Sequence, residues 1–189
     1  MAKSFLLAFI GGSGLYQIED LKNQKWINIK TPWGPPSDRI LSGTVNNNKV
    51  LFLPRHGRSH IYNPSEINYR ANIYALKKLG ATDIISLSAC GSLKENLSPG
   101  TFVLVDQFID KTITRKKTFF EDGIVAHVSM ANPTSKLIRN ACVEVLKKLK
   151  IKHQNKGTYI AMEGPQFSTK AESKIYRKQK IDVIGMTTV

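Results

Sequence analysis

YIAMEGPQFST, residues 159 to 169, is the stretch on which the reading of the fold turns. Tyr159, Ile160, Ala161 and Met162 form a short, mostly apolar run that reads as a strand, and Gly164 and Pro165 break it where a binding loop should begin. Thr169 and Glu172 have the spacing of a capping box, which predicts a helix opening immediately afterwards. Phe167 and Ser168 therefore fall on a turn between strand and helix, where an open sheet keeps its crevice. Two readings of Phe167 stand at this point: a core aromatic beneath an ordinary loop, or a ring facing a ligand.

Other strands deliver chemistry at their carboxyl ends in the same way. Phe5 to Ile10 runs into Gly11-Gly12-Ser13-Gly14-Leu15, a strand and glycine-rich turn whose backbone N–H groups suit a phosphate. The turn lacks the lysine of a P-loop, and Gln17 stands where a dinucleotide fingerprint wants a third glycine. Val50 to Leu53 delivers Pro54-Arg55-His56-Gly57-Arg58-Ser59-His60, in which arginine forks and an imidazole donor point to anion binding, while His60 reads as a loop histidine. Asp83 to Ser88 reads as a buried strand ending at Ala89-Cys90-Gly91-Ser92. Three such ends predict one shared crevice.

Between these segments, Ser65 is the expected N-cap of a helix to about Leu79, with Gly80 as terminator. Pro133 and Thr134 begin a second helix, whose stripe of Leu137, Ile138, Ala141, Val145, Leu146 and Leu149 reads as core packing. Thr101 to Val105 is a further strand; Asp106 and Asp110 beyond it fit a structural network of ion pairs and loop bonds better than an acid–base pair. Ile181 to Val189 reads as a last strand with Met186 and Thr187 at its end.

Composition sets the outer bounds. A chain of 189 residues with 41% hydrophobic residues holds one substantial core, read as a single domain over residues 1–189. The apolar start is too short for a signal peptide or a membrane span, which places the protein in the cytoplasm. Cys90 and Cys142 have no metal or disulfide spacing and read as small core residues. The net charge of +14 is spread over separated lysine pairs with no basic, aromatic-interleaved run, so no nucleic-acid partner is expected. The asparagine run Asn46-Asn47-Asn48 reads as compositional bias.

Taken together, IGGSGL at 10–15, TPWGPPSD at 31–38, RHGR at 55–58, INYRANIYAL at 67–76, SACGSL at 88–93, DQFIDKT at 106–112, MEGPQFST at 162–169 and GMTTV at 185–189 resemble the 5′-methylthioadenosine phosphorylases, a branch of the trimeric purine nucleoside phosphorylases. The resemblance implies an α/β fold with a central twisted mixed β-sheet flanked by helices. It implies phosphorolysis of methylthioadenosine to adenine and 5-methylthioribose 1-phosphate, in a homotrimer without metal or organic cofactor, inorganic phosphate being a co-substrate. By family position Ser13, Arg55, His56, Ser88, Ala89 and Thr187 bind phosphate. Phe167 stacks on the purine, Met186 lies beneath the ribose, Ser168 bears on substrate choice, and His127 is lent by a neighbouring subunit. Without the family, Met186 reads equally as core and His127 as a loop residue. Family chains continue further, with an aspartate that acts as general acid, so the resemblance implies roughly the first two thirds of such an enzyme and a sheet incomplete at its carboxyl end. Two other outcomes stay open: the same reaction on inosine or methylthioinosine, and a non-catalytic nucleoside- or phosphate-binding remnant.

Overall fold

A computed structural model describes residues 5–12 and 20–189. Their contacts divide the chain into two compact units, one of residues 1–88 with 115–119 and one of residues 89–114 with 120–189.

The first unit is built on a five-stranded mixed sheet in the order β2-β3-β4-β1-β5. Its strands are β1 (Leu7–Gly11), β2 (Lys22–Ile27), β3 (Ile40–Val45), β4 (Asn48–Pro54) and β5 (Asp83–Leu87). β1 runs parallel to both β4 and β5, whereas β2, β3 and β4 form an antiparallel meander. Ala8, Ile10, Leu51 and Leu53 from the central strands pack with Ile40 and with Ala75 and Leu76 of helix α1 (Tyr69–Lys78). A parallel strand covered on both faces needs a nearly continuous apolar run, which LAFIG and VLFLP supply.

Two features here depart from the sequence reading. Asn46 and Asn47 have φ of 47° and 63° and join Val45 to its cross-strand partner Asn48, so this asparagine run is a tight hairpin turn and not mere compositional bias. Helix α1 starts later than expected. Asn63, Ser65 and Glu66 close a local turn of their own, and the N-cap is Asn68, whose side chain accepts from the Ala71 N–H at 3.1 Å. The buried Asn72 of that helix accepts from the Ser37 N–H at 2.8 Å and donates to the Ser37 hydroxyl at 2.9 Å, which fastens the TPWGPPSD segment to the helix. Trp33 in the same segment makes edge contacts with Tyr74 and Phe119.

The second unit holds a four-stranded mixed sheet in the order β6-β11-β10-β8 and a parallel pair, β7-β9. The strands are β6 (Gly91–Ser92), β7 (Phe102–Val103), β8 (Gln107–Asp110), β9 (His153–Gln154), β10 (Thr158–Ala161) and β11 (Val183–Gly185), with helices α2 (Lys136–Lys148) and α3 (Lys170–Lys178). β10 lies at the centre, parallel to β8 and β11. Tyr159, Ala161 and Val183 pack with Leu97 on one side of this sheet, and Ile160 packs with Leu93 and Ile181 on the other. Asp182, just ahead of β11, is buried; it accepts from the Thr158 N–H and Gln154 Nε2 and pairs with Lys94. Burial by itself would raise its carboxyl, but these partners outweigh that and hold it below the ordinary carboxylate value.

The capping box expected at Thr169 and Glu172 is formed in both directions. The α2 stripe is not core, because Leu137, Val145 and Leu149 are all exposed and Val143 is the helix's buried residue. Periodicity shows which residues share a face; it does not supply the surface that covers it. Cys90 is likewise exposed and Cys142 half-buried, both free thiols raised by partial burial, so neither is a core residue. Among the described residues no helix is long and apolar enough to cross a membrane. The α/β class with mixed sheets and flanking helices is the one expected.

Candidate active site

In the first unit the site is built at one rung of the sheet. Gly11, the last residue of β1, pairs with Pro54 at the end of β4 and with Leu87 at the end of β5. Gly12, Arg55 and Ser88 therefore leave the sheet side by side, as the prediction of a shared crevice at the strand ends requires. The bond from the Arg55 N–H to the Gly11 carbonyl at 2.9 Å extends the rung, and Arg55 Nη1 donates to the Leu87 carbonyl at 3.0 Å, next to Ser88. The guanidinium comes close to Gly12, just past the end of β1: a Cβ there would stand 3.1 Å from Nη2, tighter than an ordinary contact. Arg55 is only 5% exposed. Such a buried cation, anchored on the Leu87 carbonyl where parallel strands end, is suited to a tetrahedral oxyanion. Ser13, the hydroxyl expected beside it, lies outside the described residues.

His56 is buried next to Arg55, with Nδ1 2.9 Å from the Tyr62 carbonyl. A carbonyl only accepts, so Nδ1 carries the proton and Nε2 is the acceptor, 3.5 Å from Arg55 Nε. Burial pushes the imidazole below its ordinary value; the Tyr62 bond opposes this, and the charges of Arg55 and His60 reinforce it. The ring therefore stands neutral and stacks on His60 with centroids 4.4 Å apart. Its one donor is already committed to Tyr62, so the third-donor role expected of His56 becomes that of an acceptor beside Arg55.

This has a consequence for stability. The folded value lies below the value of about 6.5 for an unperturbed histidine, so as pH falls the unfolded chain binds the proton first. The stability contributed by neutral His56 is complete above about pH 6.5 and declines as pH drops through the window below it. Denaturation midpoints at pH 7.5 and 5.5 should fall further for the unmodified chain than for His56→Asn, and equal drops would contradict this placement of the proton.

Arg58 does not share the anion-binding role read from the Arg-His-Gly-Arg sequence. Its Nε and Nη2 form a fork on the Asp38 carboxylate at 2.9 and 3.1 Å, and its guanidinium lies 4.3 Å from the Trp26 ring centre. An open cleft of about 390 Å³ beside it is lined by Ser37, Asp38, Gly57, Arg58, Ser59 and Ile61, with its two charged groups turned on each other.

In the second unit the corresponding rung is Asp110–Ala161–Gly185, at the ends of β8, β10 and β11. Asp110 accepts from the Thr112 N–H and hydroxyl, and Asp106 accepts from the Gly157 N–H, so both carboxylates serve the loops, as expected. Glu163 follows the rung and ties Ile113 and Thr114 to the β10 loop. Phe167 is 87% exposed, which removes the core-aromatic reading. Ser168 Oγ lies 2.9 Å from Ser173 Oγ of α3. Met186 is half-buried, Thr187 is buried, Ala89 is exposed, and His127 is exposed outside any regular element. Among the described residues no cluster of three or more His, Cys, Asp or Glu side chains is placed to hold a metal ion.

The parallel strands of this sheet bring an arginine, a histidine and small residues together at their carboxyl ends, and residues 6–189 match the model of the phosphorylase superfamily. The chain belongs to that family. The S-methyl-5′-thioadenosine phosphorylase of Rhodospirillum rubrum is 54% identical over 184 residues, 97% of this chain and 63% of the relative. That of Thermofilum pendens is 51% identical over 183 residues, 97% of this chain and 70% of the relative. Among solved structures, a methylthioadenosine phosphorylase from an Antarctic soil metagenomic library superposes with a TM-score of 0.93 at 49% identity, covering 99% of this chain and 66% of that one. The Schistosoma mansoni methylthioadenosine phosphorylase in complex with adenine gives 0.93 at 35% identity, covering 98% and 74%. The chain thus spans less than two thirds of the length of the R. rubrum relative.

Proposed function

We propose that the chain carries out the phosphorolysis of 5′-methylthioadenosine. An oxygen of inorganic phosphate forms a bond to the anomeric carbon, the bond from that carbon to the purine nitrogen breaks, and its electron pair leaves with adenine, which takes up a proton. The observation that carries this reading is the buried Arg55 fork at the common end of β1, β4 and β5, with neutral His56 beside it. Relatives about half identical that are named for this reaction support it.

In this reading Ser13, Arg55, His56, Ser88, Ala89 and Thr187 bind phosphate. Neutral His56 accepts a hydrogen bond from a protonated phosphate oxygen while Arg55 meets the charged ones. The exposed Phe167 ring stacks on the purine, Met186 lies under the ribose, Ser168 bears on the substrate's substituents, and His127 serves a neighbouring subunit of a cytoplasmic homotrimer. Catalysis by such a site consists mostly of positioning and charge stabilisation, since phosphate is itself the nucleophile. Initial rates at saturating phosphate with methylthioadenosine, methylthioinosine and inosine test the substrate assignment. Adenine release should be faster than hypoxanthine release by about tenfold or more, the size of effect expected for one well-placed polar contact. Equal or reversed rates would transfer the assignment to the 6-oxo purines.

A further inference from the structure

β11 ends at Gly185, so the two residues beyond it, Met186 and Thr187, lie outside its ladder with β10. The buried Thr187 N–H nevertheless has a partner, the hydroxyl oxygen of Tyr159, at 3.2 Å. Tyr159 stands in the middle of β10, is 2% exposed and is held by Leu97, Ala161 and Val183. Its ring crosses the neighbouring strand at Gly185, where a Cβ would stand 2.2 Å from the hydroxyl oxygen and 2.9 Å from Cζ. A rigid aromatic arm thus reaches from the sheet interior past the last rung and fixes the backbone just beyond it. On the other side, the Met186 thioether rests against the backbone of Gly164 in the loop after β10.

We infer that Tyr159 is a positioning residue of the site: its hydroxyl sets the direction of the Met186–Thr187 backbone, and through it the placement of the Thr187 side chain against phosphate. The inference rests on the functional reading given to Thr187. Phenylalanine at position 159 fills the same space and removes only the hydroxyl that accepts from the Thr187 N–H.

The test is Tyr159→Phe in the full chain, with two readouts. Hydrogen exchange at the Thr187 amide is expected to accelerate about tenfold or more while the Ile160 amide in the sheet keeps its rate. The KM for phosphate is expected to rise about fivefold or more, with a smaller change in the KM for methylthioadenosine, because the lost bond is made by the residue assigned to phosphate. Unchanged exchange at Thr187 overturns the inference, and so does faster exchange with an unchanged phosphate KM, which marks the bond as structural alone. An unmodified chain with no phosphate-dependent turnover overturns the reading of the site, and with it the role given to Tyr159. The exchange result tells these failures apart.

Discussion

Arg55→Ala is expected to weaken phosphate binding by about 1.5–3 kcal/mol, on the order of 10- to 100-fold, and to lower turnover by ~10² to 10³. The residue is buried at the sheet edge, with Nη1 anchored on the Leu87 carbonyl and Nε near His56. Removing it therefore deletes the cation and also the bond that ties the end of β4 to the end of β5. Arg55→Lys separates these effects. A lysine retains the charge without the fork that reaches carbonyl and anion at once, so it should recover part of the phosphate affinity and little of the rate. Isothermal titration with phosphate and phosphate-dependent release of base measure the two quantities. Unaltered affinity in Arg55→Ala would remove the arginine from the site.

Gly185→Ala should destabilise the second unit about as much as overpacking ever does in a well-packed core, ~3 kcal/mol or more. The added methyl would stand 2.2 Å from the Tyr159 hydroxyl oxygen and 2.9 and 3.1 Å from ring carbons. The ring has no room to retreat, since it is enclosed by Leu97, Ala161 and Val183. For a chain of this length a loss of that size lowers the melting temperature by roughly 6–12 °C. Tyr159→Ala costs stability on its own by opening a cavity, yet it also removes the clash. The double variant should thus be clearly more stable than the sum of the two single losses predicts, whereas strict additivity would mean that the two residues do not meet as described.

Local chemistry was legible in the sequence where the signal was itself local. The Thr169–Glu172 capping box needs only four residues and stands as expected. The position of Arg55 and His56 at a strand end is readable because an apolar run ending in charged residues marks such an end, and the pairing of Gly11 with both Pro54 and Leu87 places three such ends together. What escaped depends on partners distant in sequence. β2 reads KNQKWI, an exposed edge strand without the alternation that marks a half-buried one. The Arg58 fork on Asp38 spans 20 residues, and nothing in RHGR tells a paired arginine from one facing an anion. Asn46 and Asn47 did carry a readable signal, since a pair of asparagines between apolar runs is hairpin chemistry. The Tyr159 bond to Thr187 crosses 28 residues, and only the strand register brings it about.

Phosphorus NMR of the chain incubated with phosphate and methylthioadenosine tests the central claim most directly. Phosphorolysis at the Arg55 site predicts that the inorganic phosphate resonance declines as a sugar 1-phosphate resonance grows, in step with free adenine. An unchanged phosphate resonance, whether the nucleoside stays intact or is cleaved by water, would contradict the account.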